Sequence, residues 1–357
     1  MNNETVHKLA DALRNHRLDA PMRIMEVCGT HTTEFFRSGV RDIFPAHLTL
    51  VDGPGCPVCV TANAYLDTAI EIGRAHGVII ATFGDMMKVP SSYSSLAEEK
   101  ATGMDVRVVY SPMDALEIAR HDPAREVVFV SVGFETTAPT EAATVIAARD
   151  AGIRNFSILP GNKLTVPAVE ALLSLGEVHI DGFILPGHVS AIIGSEAWRP
   201  IPEQFGKPCV VAGFETADLI TGTLALMKMI ASNDRTVANE YARVVRPGGN
   251  PTALSMMRRV FEPDDAEWRG IGVIPGSGLA VRDEFSRYDG FKKFPVTPPP
   301  VKEHPGCRCG ELLRGLIAPT DCALFGAACR PERPVGPCMV STEGPCAAFY
   351  KYGGFDR

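Results

Sequence analysis

Between residues 22 and 230 the chain repeats one pattern, a short apolar run followed by a turn and a helical stretch. The runs MRIMEV (22–27), HLTLVD (47–52), GVIIATF (77–83), VRVVY (106–110), EVVFVSV (126–132), FSILPG (156–161), GFILPG (182–187) and KPCVVAG (207–213) read as strands. Most lack the apolar–polar alternation of a half-exposed strand, which predicts burial on both faces. Helical stretches are expected at 62–77, 112–122, 139–152 and 165–176. Parallel strands need crossovers, and helices supply them. The fold class expected is therefore α/β.

GFETTAPTEAATVIAA (133–148) echoes GFETADLITGTLALMK (213–228), each copy after a strand and before a helix. Chance is the alternative to duplication. Duplication predicts two similar small parallel-sheet α/β domains, at 1–122 and 123–235, with 236–357 as a C-terminal cysteine-rich region. In that last region a helix is expected within 243–263, a Gly-rich segment over 274–289 and a non-helical proline-rich stretch over 294–306.

Charge and hydropathy exclude several functions. The formal charge is −7 and no Lys/Arg tract occurs, so a nucleic-acid partner is not expected. Apolar runs fall short of a membrane span, and the polar, helical N-terminus does not resemble a signal peptide. A cytoplasmic location is expected.

In a reducing compartment the 10 cysteines point to packing, metal binding or redox chemistry rather than structural disulfides. Six of them, Cys307, Cys309, Cys322, Cys329, Cys338 and Cys346, lie in the final 51 residues, where little apolar sequence accompanies them. Such a tail needs staples. Its spacings of 1, 12, 6, 8 and 7 intervening residues lack the paired C-x₂₋₄-C of most zinc sites. A 4Fe–4S cluster held by Cys309, Cys322, Cys329 and Cys346 is expected, with Cys307 and Cys338 as rival ligands and zinc as the rival metal.

Three other segments carry candidate chemistry. Cys28 follows a strand and precedes a helix, with His31 three residues on. A helix N-terminus there predicts a lowered thiol pKa, suiting a nucleophile or soft-metal ligand; a buried small residue capped by Thr30 or Thr32 is the alternative. In VDGPGCPVCV (51–60), Cys56 and Cys59 sit between a Gly–Pro turn and a helix, the setting of a redox dithiol or of half a zinc site. GFETTAPT offers Glu135 at a helix entrance, either as a functional group or as a cap. LPGHVS offers His188 after a strand, and Cys209 reads as core.

CGTHT (28–32), GPGCPVC (53–59), GFETTAPT (133–140), PGHVS (186–190) and a tail with GCRCGE and GPCMVSTEGPCAAFYKYG together resemble the HypD family of nickel–iron hydrogenase maturation proteins, in motif order and along essentially the whole chain. The resemblance implies a scaffold and redox partner on which the Fe(CN)2CO group of the hydrogenase is assembled with the chaperone HypC. It implies that Cys28 ligates the iron with His31 assisting, and that Cys56 and Cys59 are a redox-active pair. It further implies that the tail holds a 4Fe–4S cluster feeding that pair, and that cyanide arrives from HypE working with HypF. The alternative function weighed on the residues is an iron–sulfur-dependent disulfide reductase using Cys56 and Cys59. A zinc-stabilised binding module is the third reading.

Overall fold

The computed structural model describes residues 3–17 and 20–353. All eight expected strands form: β1 (Met22–Glu26), β2 (Leu48–Asp52), β3 (Ile79–Thr82), β4 (Val106–Val108), β5 (Val127–Val130), β6 (Phe156–Leu159), β7 (Gly182–Pro186) and β8 (Cys209–Ala212). β3, β5, β6, β7 and β8 are buried along their whole length, which is why their sequences show no alternation. The expected helices form at Asn63–His76, Pro112–His121, Ala138–Asp150, Thr165–Leu175 and Pro251–Val260. Ser111 closes a capping box with Asp114, and Asn250 accepts from the Thr252 and Ala253 amides, so two of these helices start at side chains legible in the sequence. The polar N-terminus is a helix over Asn3–Arg14.

The strands make two parallel sheets. One has the order β2-β1-β7-β8-β9, where β9 (Val237–Asn239) extends the edge; the other has the order β4-β3-β5-β6. The division expected at residue 123 does not follow these sheets. β3 pairs with β5 across it, from Ile79 opposite Val127 to Thr82 opposite Val130. β1 instead pairs with β7, more than 150 residues away, with Ile24 opposite Gly182 and Glu26 opposite Ile184. The first sheet is thus interrupted in sequence by the whole second sheet. The physical reason is that strands buried on both faces accept any similar neighbour, so their apolar runs do not encode partners.

A single apolar core joins both sheets to the tail. It includes Met25 and Val27, Ile80, Val128 and Val130, Phe183 and Leu185, and also Cys56, Cys59, Cys309 and Cys338. The echo occupies equivalent places, since β5 and β8 each lie one strand in from the β6 or β9 edge and each is followed by GFET and a helix.

The Gly-rich segment is not a loop. It forms part of an antiparallel hairpin, β10 (Phe261–Trp268) and β11 (Gly272–Val281), with an irregularity between Asp264 and Ala266. Trp268 at its tip is fully buried, stacks on Phe134 with ring centroids 5.9 Å apart, and donates its indole N–H to Ser277 Oγ at 2.8 Å. Residues 295–304 beyond it form neither helix nor strand, as the prolines predict.

Replacing Trp268 by Ala leaves a large cavity beside Phe134 and removes the indole donor from Ser277 Oγ, which keeps only its bond to Ile274 O. Urea unfolding is expected to show a loss of about 3–5 kcal/mol, the usual cost of a buried aromatic truncation.

Candidate functional site

The strand order sets the site. β2, β1, β7 and β8 lie side by side, so the loops leaving their carboxyl ends are neighbours: Gly53–Cys59, Cys28–Thr32, Gly187–His188 and Gly213–Phe214. Ligands of open parallel sheets bind where successive connections leave in opposite directions. Here that point lies between β1 and β7, and it carries Cys28 and His188.

Cys28 is the N-cap of helix Gly29–Arg37, its sulfur accepting the His31 amide at 3.5 Å. The imidazole beside the thiol is that of His188, whose Nδ1 lies 3.8 Å from Cys28 Sγ. His31 meets Cys28 through its backbone; its ring Nε2–H donates to Gly213 O at 2.9 Å, and its Nδ1 has no partner. Phe214 packs against both imidazoles, at 4.9 Å from His31 and 5.1 Å from His188 between centroids.

Burial controls the protonation of this crevice. Cys28 is 1% exposed, and desolvation, with the Glu26 charge second, pushes its thiol well up. The lowered pKa expected from the helix N-terminus is therefore overturned. The His31 amide does lower it, but less than burial raises it. Desolvation, helped by His188, holds His31 down at about 3, and desolvation alone holds His188 at about 4, so both rings are neutral at pH 7. Glu26, missed in the sequence, is fully buried at the end of β1. It accepts the Cys28 amide at 2.7 Å and the Thr32 hydroxyl, and burial with the Asp52 charge pushes its carboxyl up. Its one sequence signal is a carboxylate inside an apolar strand.

Cys56 and Cys59 are joined in a disulfide, both buried, with the Cys56 sulfur accepting the Cys59 amide at 3.2 Å. Backbone contact ties this loop to Cys28. The Gly29 amide donates to Gly55 O at 2.9 Å, and a Cβ on Gly55 would lie 2.0 Å from Cys28 N, so only glycine fits. The tail docks on the same helix. Thr30 Oγ1 donates to Glu343 Oε1 at 2.6 Å, Thr33 Oγ1 donates to Thr342 O at 2.8 Å, and Glu343 packs on the bare face of Gly29. Cys59 Sγ lies 4.0 Å from Pro337 O, one residue before Cys338.

All six tail cysteines line one apolar pocket walled by Leu312, Ile317, Leu324, Phe325 and Met339. Among the described residues no three Cys, His, Asp or Glu side chains converge on one point. The cysteines encircle a volume instead, which fits a cubane whose irons each take a separate thiolate. Two of the six are engaged with each other. Cys309 and Cys338 are neighbours that shift one another: Cys338 lowers Cys309, while burial, ahead of Cys309, pushes Cys338 well up. Burial pushes Cys307 up to about 12 and Cys346 well up. Cys209 is core, as expected.

GFETTAPT lies on the other sheet and does not join this site. Glu135 accepts the Thr165 amide at 2.8 Å and its hydroxyl at 3.0 Å, capping helix Thr165–Leu175. Glu141 is buried, accepting from Ser131 Oγ at 2.6 Å and Asn162 Nδ2 at 2.7 Å.

A family model described as "HypD: Hydrogenase formation hypA family" matches residues 4–353. The hydrogenase maturation factor HypD of Azotobacter vinelandii is 44% identical over 338 residues, covering 93% of this chain and 89% of that protein. The HypD factor of Rhodobacter capsulatus is 44% identical over 355 residues, covering 98% and 94%. That of Escherichia coli K12 is 42% identical over 356 residues, covering 98% and 95%.

Burial raises Glu141 from 4.5 to about 7. The folded state then binds a proton that the unfolded state releases, so stability falls as pH rises from about 4.5 to about 7. Glu141→Gln removes a slope contribution approaching about 1.4 kcal/mol per pH unit. Urea midpoints between pH 4.5 and 7 are expected to be flatter in the variant than in the parent, whatever its absolute stability.

Proposed function

The chain belongs to the HypD family of hydrogenase maturation factors, and from that membership we propose that Cys28 holds the iron on which the Fe(CN)2CO group of the nickel–iron active site is assembled. The observation that carries this reading is the junction of Cys28, His188 and the Cys56–Cys59 loop at the point between β1 and β7. Iron carrying cyanide and carbon monoxide is soft and takes a thiolate, and binding it displaces the thiol proton that burial otherwise retains. Neutral His188, its Nδ1 3.8 Å from the sulfur, is placed to hydrogen-bond the thiol or a group bound there, and burial keeps the ring itself uncharged. His31 fixes the loop after β8 and, with Phe214, keeps water from the iron's surroundings.

A 4Fe–4S cluster in the tail pocket supplies single electrons when bound. Because Cys309 is engaged with Cys338, Cys307, Cys322, Cys329 and Cys346 are proposed as its ligands, with Cys307 replacing the Cys309 expected from sequence. Cys338, on the pocket wall, directly follows Pro337, whose carbonyl lies 4.0 Å from Cys59 Sγ. Opening Cys56–Cys59 takes two electrons and two protons, breaking the S–S bond to give two thiols. The pair is buried, which fits an internal relay and speaks against a general disulfide reductase acting on other proteins.

The partners proposed are a HypC-type chaperone at the crevice and HypE, with HypF, as the cyanide donor, in the cytoplasm. No helix is long and apolar enough to cross a membrane among the described residues.

Cys28→Ala is expected to abolish the infrared bands of iron-bound cyanide and carbonyl in the anaerobic complex with the chaperone, while the tail's brown absorbance persists. Normal bands in that variant would sink the iron-ligand role. For the tail, Cys309→Ser is expected to keep iron and sulfide content and Cys307→Ser to lose both. The reverse pattern would restore Cys309 as a ligand.

A further inference from the structure

Arg269 stands outside the site as described, at the tip of the β10–β11 hairpin. It is 8% exposed, and its Nη1 has no hydrogen-bond partner. Its other nitrogens are held: Nη2 donates to Asn63 Oδ1, and Nε to Glu303 Oε1 at 3.3 Å. Glu303 is 55% exposed, so its charge is screened and only partly offsets the buried guanidinium. A buried cation with unsatisfied donors is costly to keep. That cost points to an acceptor of negative charge nearby.

The hairpin tip touches the backbone beside both sulfur centres. The Arg269 amide donates to Val60 O at 2.9 Å, and Thr61 bridges to Trp268, so the tip is stitched to the turn bearing Cys59. On the other side, Gly270 and Gly310 meet backbone to backbone. A Cβ on Gly270 would lie 2.1 Å from Gly310 Cα, and Gly310 directly follows Cys309. Gly270 has φ +75°, a conformation that glycine alone adopts without strain.

We propose that Arg269 is the positioning cation of the tail centre, its free Nη1–H groups and charge stabilising the reduced, more negative state of the cysteine-bound cluster. Hydrogen bonds and charge beside the sulfurs are established levers on cluster potential. By holding the disulfide turn with the same residue's backbone, the hairpin tip keeps donor and acceptor at fixed separation. This inference rests on the tail holding a 4Fe–4S cluster, as proposed above.

The test uses the full chain purified anaerobically, with iron and sulfide analysis and a redox titration followed by electron paramagnetic resonance. Arg269→Gln is expected to keep metal and sulfide content while making cluster reduction about tenfold less favourable, a shift of about 59 mV to more negative potential for one electron. Glu303→Gln, on the surface, removes the countercharge and is expected to shift the potential the opposite way by a smaller amount. It decides the matter should Arg269→Gln lose its cluster. Unmoved potentials in cluster-loaded variants overturn the role of Arg269 and leave the cluster assignment standing. A parent chain that holds no cluster under these conditions overturns both.

Discussion

The pairing of β1 between β2 and β7 is the constraint on which the site depends. It brings chain segments more than 130 residues apart into adjacent strands, and their carboxyl-end loops become neighbours without any loop having to reach. Once β1 sits there, Gly55 lies against the Cys28 backbone and the Gly29 amide binds Gly55 O. The Cys28 thiol and the disulfide therefore share a wall of backbone. Side chains at these glycines would push the two loops apart, so the separation of the two sulfur centres is set by main-chain packing.

Burial, rather than the helix terminus, governs the chemistry at that wall. A helix N-terminus contributes about 0.3–1 kcal/mol, and up to about 2 kcal/mol in favourable buried geometry. Taking an ion out of water costs several kcal/mol. The balance appears in every group of the crevice: Cys28 and Glu26 are pushed up, and His31 and His188 are pushed down. The crevice is thus lined by a thiol, neutral imidazoles and an aromatic ring instead of hydrated charge.

The elements were legible in the sequence and their partners were not. Apolar runs of five to seven residues marked β1 to β8, and in β3 and β5 to β8 full burial removes polar positions from the strand. The same full burial erased the register that would have told β1 to seek β7. Cys28 and His188 were identifiable because polar or sulfur-bearing residues just after buried strands are unusual, and their side chains meet, whereas the loop of Cys56 and Cys59 meets Cys28 through the Gly55 backbone. Glu135 looked alike and proved a helix cap, since its meaning depends on Thr165, 30 residues on. Hairpin β10–β11 was hidden by its glycines and by the acidic run Asp264–Asp265, which suit an exposed strand but resemble a loop. The link between Cys309 and Cys338 could not be inferred from spacing, because it depends on how the tail folds over the core.

The duplicated GFET motif accounts for why the chain keeps a second sheet that contributes no residue to the crevice. In the copy after β8, Phe214 packs between two imidazoles at Cys28. In the copy after β5, Phe134 stacks on Trp268, and the residue after Trp268 anchors the turn bearing Cys59. One copy shapes the Cys28 crevice, and the other braces the hairpin tip from behind. Because both copies enter helices packed on their own sheets, and the sheets share one close-packed core with the tail, movement of either centre strains the whole interior. The second sheet thus helps fix where Cys28, the disulfide and the tail cysteines stand relative to one another.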